Sequence, residues 1–190
     1  MLKESHYLVL VLCASFFCIS SVYSEPVGEE TDMSMDSIRS NIIKHSQEGQ
    51  LFLEREQYGN AVSEFKIALQ LNPSASLAAP LYNNLGVAFR ESGEYLFAVA
   101  SFQRAIRLTP STELYYKNLV ATYDRFGKLV KAYEGFGRTT KINPSDGEAW
   151  FLLGLINERV GRTQMARQAF KKCRQLEPNS LLAEAAKSHL

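Results

Sequence analysis

Four prolines punctuate this chain at nearly constant intervals. Pro73, Pro110, Pro144 and Pro178 lie 37, 34 and 34 residues apart. Phe65, Phe102, Phe136 and Phe170 keep the same three spacings, and so do Ala61, Ala98, Ala132 and Ala166. A self-similar period in this range signals one small structural unit, copied and stacked, because such a unit cannot bury its apolar face alone. The expected architecture is therefore a solenoid rather than a globule with a single closed core.

The stretch from Leu81 to Pro110, LYNNLGVAFRESGEYLFAVASFQRAIRLTP, shows how one unit is built. Between Tyr82 and Phe89 the key residues fall three or four apart and share one helix face. Gly86 on that face lets a second helix approach closely. Gly93 ends the first helix, as glycines in helix-ending positions do. A second helix is predicted from about Tyr95 to Leu108, with Ala98 at the helix crossing, Phe102 filling the core and Ala105 on the same face. Pro110 closes the unit.

This pattern resembles the tetratricopeptide repeat, a helix–turn–helix of about 34 residues. In register, the first copy shows Gly49, Phe52, Tyr58, Ala61, Phe65, Ala68 and Pro73. The third shows Tyr116, Leu119, Tyr123, Gly127, Ala132, Phe136 and Pro144, and the fourth Trp150, Leu153, Gly154, Gly161, Ala166, Phe170 and Pro178. The resemblance covers about Ile42 to Pro178. It implies an all-α, right-handed α-solenoid of four repeats, near 42–75, 79–112, 113–146 and 147–180, within a folded region 37–190. After Pro178, NSLLAEAAKSHL reads as a capping helix over 180–190. Leu181, Leu182, Ala185 and Ala186 would cover the open end of the stack.

The departures mark the places to watch. Val120 stands where the third repeat wants a small residue, and Asn157 replaces an aromatic in the fourth. Thr139 and Cys173 replace the later alanine. Three extra residues around SASLAAP either lengthen a helix or loosen a turn. Gly135 and Gly137 each cost about 0.8–1 kcal/mol relative to alanine inside a helix. The preferred explanation is close approach of a neighbouring helix; the alternative is a soft point in the solenoid.

Ahead of the repeats the composition changes. Lys3 precedes a 16-residue run without charge, Tyr7 to Val22, followed by VYS. This reads as a secretory signal peptide, 1–24, cleaved near Ser24–Glu25. The run is short for a membrane span, which needs about 20 residues. Retention as an anchor, or lipidation at Cys13 or Cys18, stays open, although Leu12 and Phe17 are poor residues ahead of a lipidated cysteine. Residues 25–36 carry five acidic residues and no basic one, and read as a linker. Asp36 or Ser34 is the expected N-cap of the first helix. Export would place the protein in the periplasm or outside the cell.

No catalytic constellation appears, and the chain is not expected to be an enzyme. A phosphate loop is missing at Phe126 to Leu129, as is a Gly-x-Ser-x-Gly elbow anywhere. His45 has no second ligand at helical spacing, so no metal and no cofactor is expected. Cys173 is read as an inert spacer between helices, with a reactive thiol as the alternative. The near balance of 21 basic and 20 acidic residues argues against a nucleic-acid partner. Membrane contact is expected only through the signal segment, if it is uncleaved or lipidated.

The resemblance implies a groove lined by the first helix of each pair. In register it presents Gln50, Asn83, Val87, Arg90, Lys117, Asp124, Phe151 and Leu155. Asn84 and Asn118 hold matching places, either as donors to a bound peptide backbone or in structural bonds within their helix pairs. The basic clamp with which some relatives grip a C-terminal carboxylate is missing: Ser46, Gln50, Asn84, Leu114 and Asn118 stand there in one register, and Asn83, Val87, Asn118, Glu148 and Leu152 in the next. The expected function is binding of a protein or peptide partner, with assembly of a cell-envelope complex as the expected setting. The alternative is a self-associating structural component, such as a homodimer.

Overall fold

The fold starts from nine α-helices, with no strand among the described residues. They are α1 (Met35–Glu54), α2 (Tyr58–Gln70), α3 (Ala75–Glu91), α4 (Tyr95–Leu108), α5 (Glu113–Arg125), α6 (Leu129–Ile142), α7 (Gly147–Arg159), α8 (Thr163–Leu176) and α9 (Leu181–Lys187). This computed structural model describes residues 34–190. The signal segment, both its cysteines and most of the acidic linker lie outside the described residues. α1 begins at Met35, directly after Ser34, and Asp36 falls in its first turn.

Consecutive helices pack as antiparallel pairs, and along the row of first helices α3 touches α5, α5 touches α7 and α7 touches α9. This is an all-α solenoid. The turns inside the pairs explain its regularity. In the second pair the Glu94 N–H donates to the Phe89 carbonyl and the Gly93 N–H to the Arg90 carbonyl, closing a Schellman motif. Gly93, Gly127 and Gly161 each take positive φ there, at 83°, 67° and 75°. The first pair puts Glu56 in the same position at φ 58°, a conformation that costs a non-glycine residue about 1 kcal/mol. The three extra residues lengthen α3, which begins at Ala75 and runs through Pro80.

The core repeats one device. Gly49, Gly86 and Gly154 on first helices lie flat against the rings of Phe65, Phe102 and Phe170 on second helices. A Cβ added at these glycines would stand 2.6, 2.8 and 2.5 Å from the ring. All three rings are fully buried, and Ala61, Ala98 and Ala166 at the crossings are buried as well.

The third pair breaks this rule. Val120 occupies the glycine position, and its branched side chain holds α6 away. The backbones of α5 and α6 approach each other far less than those of α3 and α4 or of α7 and α8. Ala132 and Phe136 stay half-buried, and Thr140 is the buried residue of α6. Phe136 reaches Tyr123 edge-to-face at a centroid distance of 6.5 Å. A Cβ at Gly135 or Gly137 would meet nothing within 4 Å. The expectation that these glycines admit a close neighbour is therefore wrong. They weaken a helix that already packs loosely.

At the other end α9 covers the stack with Leu182, Ala183 and Ala186 buried. Leu181, expected among the covering residues, is exposed instead. Ser180 caps α9 by accepting from the Ala183 N–H at 3.0 Å. Among the described residues no helix is long and apolar enough to cross a membrane.

Candidate functional site

Helical pairing sets α3, α5 and α7 side by side, and their facing side chains form a polar ladder. Asn118 Nδ2 donates to Asn83 Oδ1 at 2.8 Å, and Asn83 Nδ2 donates to Asn84 Oδ1 at 3.1 Å. Arg90 Nη1 donates to Asn118 Oδ1 at 3.4 Å, and Arg90 Nε to Glu91 Oε1 at 3.0 Å. Arg125 Nη1 reaches both oxygens of Glu91 at 2.7 Å. Arg159 Nε donates to Asp124 Oδ2 at 2.8 Å. The asparagine bond thus crosses between repeats rather than staying within one helix pair.

Burial alone would raise the Glu91 carboxyl. The hydrogen bonds and charges of Arg125 and Arg90 outweigh it and hold Glu91 below its ordinary value of 4.5. Exposed ion pairs contribute about 0–1 kcal/mol each, so the ladder sets the register of the first helices more than their stability.

Beside the ladder a pocket of about 350 Å³ opens between α5 and α7. Val120, Ala121 and Leu155 supply apolar lining, with Lys117, Asn118, Glu158 and Arg159 around them. Of the residues expected in the groove, Asn83, Asn84, Arg90 and Asn118 meet in one hydrogen-bonded network. Lys117 is exposed and paired with Glu113, and Asp124 is paired with Arg159. Val87 is half-buried, while Gln50 is exposed on α1 away from the network.

Two expectations need correction. Phe151 is fully buried and Leu155 is 4% exposed, so neither stands out as a surface anchor. Phe151 packs edge-to-face on Tyr116 and Phe170 at 5.3 and 5.5 Å. Asn83 is also buried, because the bonds of the ladder fold it inward. Phe151 is enclosed by Tyr116, by Phe170 and by the segment following α9. His189 lays its ring on Phe170 at 4.4 Å and edge-on to Phe151 at 6.3 Å. Glu91, Arg125 and Arg159 escaped the sequence reading although a signal existed. Glu91 and Arg125 are 34 residues apart and Asp124 and Arg159 are 35 apart, opposite charges separated by one repeat.

His45 is better partnered than its helix alone suggested. Its Nδ1 lies 2.7 Å from Glu64 Oε2 on α2 and 3.7 Å from Glu48 Oε2 one turn along α1. The hydrogen bond to Glu64 accounts for this approach.

Cys173 is 1% exposed against the α7–α8 core. Burial pushes its thiol from 9.0 up to about 11, and the Glu177 charge adds to the rise. The thiolate is the reactive form, so the folded chain should leave Cys173 unlabelled by a maleimide near about pH 8. Denaturant should expose it. Peptide mapping by mass spectrometry reads the site directly, and labelling of the folded chain at the rate of a free thiol would contradict the burial.

Stacked helix pairs with an aligned row of first helices define a helical-repeat interaction scaffold. Tetratricopeptide repeat models match residues 46–112 and 147–180, together more than half of the chain, and the chain belongs to that family. Tetratricopeptide repeats bind protein or peptide partners and are generally non-enzymatic scaffolds. Among solved structures, a crystal structure of MamA is similar at 25% identity over 84% of this chain and 95% of that one, with a TM-score of 0.47. YrrB, described as a TPR protein with an unusual peptide-binding site, is similar at 20% identity over 80% and 77%, with a TM-score of 0.45. A tetratricopeptide repeat protein from Parabacteroides merdae is similar at 21% identity over 79% and 59%, with a TM-score of 0.49. No curated protein matches the chain.

Proposed function

We propose that the row of α3, α5 and α7 binds an extended peptide or a partner helix, that the chain performs no chemistry of its own, and that it works outside the cytoplasm. One observation carries the binding reading: the half-buried amides of Asn84 and Asn118, held by the buried Asn83 and by Arg90, lie beside a pocket lined by Val120, Ala121 and Leu155. Amide groups suit the main chain of a peptide, and an apolar hollow suits one of its side chains. Lys117 at the edge favours an acidic neighbour. Export rests on the sequence of residues 1–24, and assembly of an envelope complex is its natural setting.

The test is a pair of changes that spare the core. Lys117 is exposed and Ala121 half-buried at the pocket wall. Lys117→Glu with Ala121→Gln should weaken a peptide selected by phage display at least tenfold, about 1.4 kcal/mol. The melting temperature should move by only a few degrees, since surface changes are usually small. Isothermal titration reads the affinity, and an unchanged value in a folded double variant would remove the pocket from the binding surface.

A second reading, self-association, is favoured by Leu96 and Phe97, adjacent on α4 and exposed at 70% and 60%. Light scattering separates the two readings. A stable dimer that captures no peptide supports the second.

A further inference from the structure

His189 is a polar residue just beyond a short helix, yet its side chain is only 8% exposed. Both ring nitrogens face carboxylates: Nε2 lies 2.8 Å from Glu113 Oε1 on α5, and Nδ1 lies 3.1 Å from Glu158 Oε1 on α7. The ring lies nearly parallel to Phe170, 19° between planes, and Phe151 meets it edge-on. A flat slot with an aromatic floor and two acidic walls is therefore already filled by the chain itself.

A neutral imidazole has one N–H donor, so it can satisfy only one of two carboxylates; a flat cation with donors on both edges satisfies both. The carboxylates bonded to the His189 ring are those of Glu113 and Glu158, and Glu113 is also paired with Lys117. With the slot empty two carboxylates stand beside an aromatic face, an arrangement that attracts cations. Burial alone would raise the Glu113 carboxyl, but the bonds from Lys117 and His189 hold it below its ordinary value. Glu158 also lines the pocket between α5 and α7, so slot and pocket share that residue as a wall.

We propose that Glu113, Glu158, Phe151 and Phe170 form a subsite for a planar cationic side chain, arginine or histidine, of a bound peptide, and that His189 occupies it as an internal competitor. This deepens the peptide-binding reading and rests on it. A peptide running over the α5–α7 pocket would place a neighbouring side chain in the slot. It must displace His189 to do so, and the segment after α9 thereby lowers the affinity of every such ligand.

The test uses the full chain and three acetylated tetrapeptides, Lys-Ser-His-Leu, Lys-Ser-Arg-Leu and Lys-Ser-Glu-Leu. The His189→Ala chain should bind the histidine and arginine peptides at least tenfold more tightly than the unaltered chain, and should reject the glutamate peptide. Adding Glu158→Gln should abolish the gain. Equal binding of all three peptides, or none to a folded His189→Ala chain, overturns the proposal. If the phage-selected peptide still binds through Lys117 and Ala121 while the basic tetrapeptides do not, the subsite is wrong and the groove stands; if both fail, the groove reading fails first. Should His189→Ala not fold, Glu158→Gln with His189 in place keeps the question open to measurement. Hydrogen exchange at 185–190 should then accelerate at least tenfold, and unchanged protection would show that the carboxylate does not hold His189.

Discussion

Phe102→Ala is expected to cost about 3–5 kcal/mol of unfolding free energy, whereas Phe136→Ala should cost less than half as much. Both phenylalanines hold the same place in their repeats. Phe102 is fully buried against Gly86, and its ring fills the space that the missing Cβ leaves. Truncation there removes apolar contact and leaves a cavity that the rigid pair of α3 and α4 cannot collapse into. Phe136 belongs to the repeat that has Val120 in the glycine position, meets Tyr123 edge-on and remains half-buried, so less contact is lost and solvent reaches the gap. Urea denaturation of the two single variants measures the difference. Equal losses would mean that the third pair is packed like the others, and the account of Val120 as a wedge would be wrong.

The second large effect falls on Phe151. Phe151→Ala should also destabilise the chain by about 3–5 kcal/mol, because the ring touches Tyr116, Phe170 and His189 and is fully buried. Lys117→Glu should change stability by less than about 0.5 kcal/mol beyond the loss of one exposed pair. Thermal unfolding of each variant reads both values. A folded Phe151→Ala chain with an unaltered melting temperature would return this residue to the surface, where the repeat register alone had put it.

That contrast shows which information the period carried. The helix order, the glycine–phenylalanine contacts and the turns at Gly93, Gly127 and Gly161 follow from spacing, because each depends on neighbours within one repeat or the next. Val120 was visible as a departure, but its consequence was not. A sequence gives the size of a side chain, and only the packed pair shows whether the facing helix yields or the side chain does. Here the helix yields. Phe151 failed for a different reason: besides Tyr116 and Phe170 it meets residue 189, which also reaches Glu113 across 76 positions. No repeat spacing encodes a contact of that length. The ladder pairs lie between, separated by one period and made of opposite charges, so they were legible to anyone comparing a repeat with its successor.

The open third pair has a mechanical consequence. In a stack where each unit touches only its neighbours, stiffness is set link by link, and strain gathers at the weakest one. Bending loads on α1–α4 reach α7–α9 through α5 and through a loosely seated α6. The expected response is that of a jointed rod rather than an even spring, with the α5–α6 pair as the softest link. A ligand that grips both sides of that link would fix it at one angle, while a ligand on a single side would leave it free to swing. Grip length, more than any single contact, would decide how far the curvature of the whole surface is set.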